Sequence, residues 1–216
     1  IGTGDWSSDV CSSDLLVKFE RYMRGKYSFD DQEFRDHLDF LYGLQARFGA
    51  QHEQAVVDAA RRLGATLASH DDTTVAQVAA SQAYGVTLAE FPTTHVAADA
   101  CHSHEIATIM GAPNVIRGGS HSGNVAATDL AERDRLDILS SDYVPSSLLM
   151  AALQLADLWG DLPRGLATVT ARPADSVGLS DRGRLRIGAR ADVIRFARLD
   201  TVPVLNETWS AGQRVF

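Results

Sequence analysis

The sequence has almost no lysine and almost no cysteine. Lys18 and Lys26 stand against 18 arginines, so cationic chemistry falls to guanidinium groups. These grip phosphate and carboxylate at two points, although genome composition alone also raises the arginine share. Two cysteines, Cys11 and Cys101, define neither a disulfide framework nor a four-sulfur metal site. No run of about 18 apolar residues is present, which excludes a membrane-spanning helix. No charged-then-apolar leader opens the chain, so the expected compartment is the cytoplasm. The net charge of −8 argues against a general nucleic-acid or anionic-membrane surface and leaves room for a local basic pocket. What is present suffices for a real core: 216 residues, 45% of them hydrophobic and 22% charged.

The chain repeats one form. Thr66–Thr74 reads Thr-Leu-Ala-Ser-His-Asp-Asp-Thr-Thr, an apolar stretch that stops at polar residues and runs into a helical pattern. Val86–Thr94 (VTLAEFPTT) and Asp137–Pro145 (DILSSDYVP) do the same. Strands are expected at Ala65–Ser69, Val86–Ala89, Ile106–Met110 and Asp137–Ser141. The helices between and after them are expected at Val75–Ala83, His95–Cys101, Val125–Arg133, Ser147–Trp159 and near Leu162–Thr170. Four β-then-α units without a hairpin mean a parallel sheet, and a doubly wound sheet and half a (β/α)8 barrel both fit. Before them, Phe19–Phe48 is helical with a break at Gly25–Tyr27, and a second helix runs from about Glu53 to Leu63, closed by Gly64. From Asp181 the pattern changes to short strands, at 181–188, 191–196 and 202–209. Residues 1–15 fit neither period, contain a near-duplicate (SSDV, SSDL), and resemble a translated sequencing adapter. The expected domains are therefore a non-native tail over 1–15, an α/β part over 16–180 and a β segment over 181–216.

Strand ends of a parallel α/β protein share one mouth, and side chains there carry the chemistry. His70 beside Asp71 and Asp72 suits a divalent metal, a neutral imidazole next to hard anionic oxygens. The same residues also serve as plain helix caps. Asp142 ends another strand and can be both ligand and general base. Glu90, at the equivalent end of the strand between, is either a direct participant or a supporting carboxylate. His95 begins a helix and is expected at the surface. His102-Ser103-His104 has chelating spacing but lies at the opposite rim. The stretch Gly111–Gly123 reads as a long loop. Within it Arg117, glycine amides and serines ahead of a helix N-terminus favour phosphate groups.

SHDDTT at 69–74, AEFPTT at 89–94, MGAPNVIRGGSHSGN at 110–124 and ILSSDYVP at 138–145 resemble one branch of the amidohydrolase superfamily. The likeness runs from about Phe19 to Phe216. It implies the C-terminal half of a (β/α)8 amidohydrolase-type barrel with part of a small β domain. It also implies a divalent metal, with zinc as the expected ion, and the phosphorylated ribose of phosphonate catabolism as the small-molecule substrate. The implied reaction is hydrolysis of alpha-D-ribose 1-methylphosphonate 5-triphosphate to the 5-phosphate and pyrophosphate. By the family pattern His70 and Asp142 match metal ligands, with Asp142 also catalytic. Asp71, Asp72 and Glu90 stand as further ligands or their supports. Asn114, Arg117, Ser120, His121 and Tyr143 are the phosphate-binding candidates. The superfamily's strand-one His-x-His and strand-four bridging residue have no counterpart, so this chain alone is expected to hold an incomplete site with two open sheet edges. A homo-oligomer is compatible with the resemblance. The competing readings are another amidohydrolase reaction, cyclic amide hydrolysis or deamination, and a non-catalytic truncated product.

Overall fold

The computed structural model describes residues 13–120 and 124–216. They fall into two compact units that meet in sequence at Leu67 and Ala68. Among the described residues no helix is long and apolar enough to cross a membrane.

The first unit is helical. Of the stretch read as an adapter, residues 1–12 lie outside the described residues, and Ser13–Leu15 form the first turn of α1 (Ser13–Tyr27). α2 spans Asp31–Leu63 without interruption. This corrects the expectation of two helices with a gap before Glu53. Asp30 accepts from the amides of Gln32 and Glu33 while Glu33 caps back onto Asp30, a reciprocal box that opens the helix. Gly64, at φ 62°, closes it. No proline stands between these two ends, and the interior glycines Gly43 and Gly49 cost only about 1 kcal/mol each. The pattern therefore continues through Gly49.

The second unit carries the parallel sheet. Its strands are β1 (Ala68–His70), β2 (Leu88–Glu90), β3 (Ala107–Gly111) and β4 (Ile138–Ser140), paired in chain order. Each new strand lies beside the preceding one, with no reversal of direction across the sheet. Between them run α3 (Val75–Tyr84), α4 (His95–Ser103), α5 (Ala112–Arg117) and α6 (Ala127–Glu132), followed by α7 (Ser147–Trp159), α8 (Leu162–Ala167) and α9 (Ala171–Ser176). The expected long loop from Gly111 is wrong over its first half. Pro113 sits in the first turn of α5, where its missing N–H costs nothing, and Gly118 at φ 72° ends the helix.

The first two βα corners are the same object built twice. His70 pairs in register with Glu90, twenty positions on. Asp71 and Phe91, the next residues, are both left-handed, at φ 60° and 58°. Thr74 and Thr94 then cap α3 and α4 through their hydroxyls. The corners are cross-braced: the Thr73 and Thr93 hydroxyls lie 2.8 Å apart, and the Thr94 hydroxyl donates to the Thr73 carbonyl at 2.7 Å.

The core is rich in alanine, which lets helices approach closely. One cluster gathers Met110, Leu130, Leu139 and Leu155 with Ala151 and Ala152; another holds Val78, Ala89, Ala97, Cys101 and Ile106. Burial pushes the Cys101 thiol up to about 12, so it packs as an inert small hydrophobe. The outer edge of β4 is not left fully open as expected: the Leu139 amide donates to the Thr168 carbonyl at 3.1 Å.

After α9 the expected strand at 181–188 is absent, and this segment forms turns. Gly183, at φ 82°, sits where a Cβ would come within 2.7 Å of the Thr170 carbonyl oxygen. An antiparallel sheet of β5 (Val193–Leu199), β6 (Val202–Ser210) and β7 (Gln213–Arg214) follows, with a register irregularity at Arg195/Phe196. β5 is tied to α7 by a two-point pair, Arg198 to Asp157.

That pair makes the protein acid-sensitive. The hydrogen bond from Arg198 holds the Asp157 carboxyl below its ordinary range, and Arg184 and Arg195 do the same for Asp175 and Glu207. A folded-state value below the unfolded one gives stability that is present above the unfolded carboxylate range. It is lost as pH falls through the folded value. Melting temperature is therefore expected to drop on acidification below about pH 4, less steeply in Asp157→Asn. These groups are exposed, so raising the salt concentration is expected to shrink the difference. An identical acid limb in the Asn variant at low salt would refute the assignment.

Candidate active site

Three of the four strands exit into left-handed residues without glycine's freedom: Asp71 after β1, Phe91 after β2, and Asp142, at φ 49°, just beyond β4. Such backbone costs energy that the surrounding structure must impose, and it concentrates at functional sites. Gly111 ends β3 at the same level. A Cβ there would stand 3.2 Å from Asp142 Oδ2 and 3.7 Å from Phe91 Cε1, so the bare backbone of β3 lets the Asp142 carboxylate lie across the strand end.

Beside it is a cavity of about 160 Å³. Asp71, Asp142 and Tyr143 line it from the β1 and β4 ends, and Asn114, Arg117 and Ser120 line it from α5 and the residues after it. Six of the residues singled out from sequence thus share one pocket. Asn114 is also structural, its side-chain oxygen accepting from the Ala127 amide at 3.0 Å and so fixing the start of α6. Arg117 is exposed and has no ion-pair partner among the described residues. His121 lies outside the described residues.

The remaining candidates sit apart from the pocket walls. His70 Nδ1 is 3.0 Å from Asp71 Oδ2, and its Nε2 is 4.0 Å from Glu90 Oε2, so the ring sits between two carboxylates. Asp72 is buried, accepts from the Ser69 hydroxyl at 2.5 Å, and its carbonyl receives the Thr93 amide, so it builds the corner. His95 is not the plain surface residue expected: it is half-buried, with Nδ1 enclosed and without a hydrogen-bond partner among the described residues. His102 and His104 close α4 at the other rim. Sequence reasoning missed Phe91, which lines the pocket and meets the His70 ring edge-on at 5.3 Å between centroids. A large apolar residue at a strand exit was the available signal.

A divalent metal is implied by the resemblance, and it requires converging donors. Among the described residues no three His, Cys, Asp or Glu side chains converge as a metal ion requires. His70 and Glu90 approach each other, whereas Asp142 belongs to the pocket wall. Among the described residues these side chains do not form a complete metal site.

The parallel sheet and the antiparallel sheet that follows it have a fold similar to that of solved amidohydrolase structures. A solved amidohydrolase matches 74% of this chain and 46% of its own length at a TM-score of 0.54 and 17% identity. A prolidase complexed with N-methylphosphonate-L-proline matches 74% of this chain and 47% of its own at a TM-score of 0.56, also at 17% identity. In sequence the chain is similar to the alpha-D-ribose 1-methylphosphonate 5-triphosphate diphosphatase of Escherichia coli (strain K12). They are 44% identical over 202 residues, 92% of this chain and 53% of that protein. The resemblance carried by the strand-end motifs is thereby borne out, and the chain spans about half the length of the curated relative it matches. No protein-family model matches it.

Proposed function

We propose that the whole protein hydrolyses alpha-D-ribose 1-methylphosphonate 5-triphosphate to the 5-phosphate and pyrophosphate, at a mouth to which this chain contributes four strand ends. The observation that carries the reading is the shared pocket: Arg117, Tyr143, Asp71 and Asp142 all line one cavity of about 160 Å³. That is less than the roughly 300–1,000 Å³ that encloses a drug-sized molecule, so the pocket takes the phosphate end of the substrate. Strand order without reversal supports half of a (β/α)8 barrel.

In this reading Arg117 grips the terminal phosphates, and the guanidinium offsets charge on the departing pyrophosphate. Asp142 accepts a proton from the attacking water as its oxygen bonds to phosphorus, and the anhydride between the first and second phosphates breaks. Two carboxylates against one guanidinium leave the pocket formally negative toward a polyanion. The triphosphate therefore enters with a cation. A divalent ion, zinc by the resemblance, would meet that need; by the resemblance His70 and Asp142 would be among its ligands, and the remaining ligands would come from the part of the whole protein that this chain does not span.

Calorimetric titration of the chain with inorganic tripolyphosphate and a divalent cation tests the pocket. Arg117→Ala is expected to weaken binding about tenfold. Equal affinity removes Arg117 from the phosphate contact. For the reaction, the whole protein should release pyrophosphate from the triphosphate. Ring opening or ammonia release from a cyclic amide or base, with no pyrophosphate, would replace this reading with another amidohydrolase reaction.

A further inference from the structure

Phe91 occupies a backbone state that suits it poorly. At φ 58° a residue with a Cβ is strained, and phenylalanine has no short polar side chain to offset the strain locally, unlike Asp71 at the matching corner. Glycine would sit there without steric cost. The position nevertheless carries a ring, and that ring lies against His70 and beside the bare strand end at Gly111. It meets the His70 imidazole edge-on, at 5.3 Å and 88°. Its Cε1 approaches the spot above Gly111 that the Asp142 carboxylate also reaches, at 3.7 and 3.2 Å from a Cβ placed there. The Phe91 amide donates to the Ile109 carbonyl at 2.9 Å, so the strained corner is anchored to β3 and its ring is aimed by the sheet.

We propose that Phe91 is a positioning residue, a rigid spacer at the mouth that fixes the orientation of the His70 ring. This rests on the reading of Asp142 and His70 given above. An aromatic ring suits the task because it is flat, has only two side-chain torsions, and offers no group that competes for a proton or a phosphate. Reacting groups lose rate steeply when displaced by about 1 Å, so a spacer acts on turnover more than on binding.

The test compares Phe91→Leu, Phe91→Tyr and Asp142→Asn in the whole protein. Leu keeps an apolar side chain without the ring; Tyr keeps the ring. Phe91→Leu is expected to lower kcat about tenfold or more with KM within about twofold, whereas Phe91→Tyr keeps most of kcat. Melting temperatures of both should stay within about 5 °C of the parent, which separates positioning from lost folding. A second readout needs no turnover. The His70 imidazole resonances are expected to be single and sharp in the parent and in Phe91→Tyr, and shifted and exchange-broadened in Phe91→Leu. If kcat and the His70 signals of Phe91→Leu match the parent while Asp142→Asn is dead, the spacer role is wrong and the proposed function stands. If pyrophosphate release is absent from the parent but the His70 signals respond as described, the function has failed and the spacer role holds.

Discussion

Asp142→Asn is expected to reduce pyrophosphate release by the whole protein roughly 10³-fold while leaving its melting temperature within about 2 °C of the parent. The two halves of this expectation come from different observations. Asp142 is exposed, and its carboxylate makes no ion pair among the described residues, so folding gains little from its charge. Its backbone is left-handed at φ 49°, a state that asparagine adopts as readily as aspartate. The substitution therefore keeps the corner and removes only the carboxylate that the proposed function makes the proton acceptor. Steady-state kinetics beside a thermal melt decide the matter. Retention of more than about a tenth of the activity would show that another group takes the proton.

The largest expected effect on stability lies far from the mouth. Gly165, in α8, faces α7 so closely that a Cβ would stand 2.5 Å from the Ala152 carbonyl oxygen and 2.5 Å from Ala156 Cβ. Two of its three nearest atoms are backbone, so no side-chain rotation relieves the clash and the helices must separate. Gly165→Ala is expected to cost about 3 kcal/mol, the upper part of the overpacking range. For a chain of this size that is a fall of roughly 6–12 °C in melting temperature. Gly160→Ala is the control. Gly160 closes α7 at φ 64° with open space around it, so it carries only the backbone cost of about 1 kcal/mol. Equal melting temperatures for the two variants would mean that α7 and α8 do not pack as closely as described.

Much of the second unit was readable from local pattern. α7 has the same bounds in sequence and structure, Ser147–Trp159, because its apolar spacing is unbroken and Gly160 follows. The starts of α3 and α4, at Val75 and His95, were legible as well, although the caps are the hydroxyls of Thr74 and Thr94 rather than His70 and the aspartates beside it. The helix Ala112–Arg117 was not legible. Its six residues lie beside a glycine- and serine-rich stretch that reads as loop, and tertiary burial of Ala112, Pro113 and Val115 decides its form. The site was legible in parts. Pattern placed His70, Glu90 and Asp142 at strand ends, but periodicity does not say which way a strand-exit side chain turns. That depends on left-handed corners and on what the neighbouring strand lacks. Hence Asp142 joins Arg117 in the pocket, His70 pairs with Asp71 beside it, and Phe91 stands where no motif drew attention.

The bonds that brace the two twin corners run through backbone groups and threonine hydroxyls: Asp71 amide to Glu90 carbonyl, Phe91 amide to Ile109 carbonyl, Thr73 to Thr93. The residues exposed at the rim contribute little to that framework. The rim is thus a row of sockets whose spacing is set by the sheet and whose plugs are interchangeable. A histidine fills one socket and a glutamate the next on the same scaffold. A mouth built this way can acquire a different chemistry one codon at a time, with the architecture that holds it left intact.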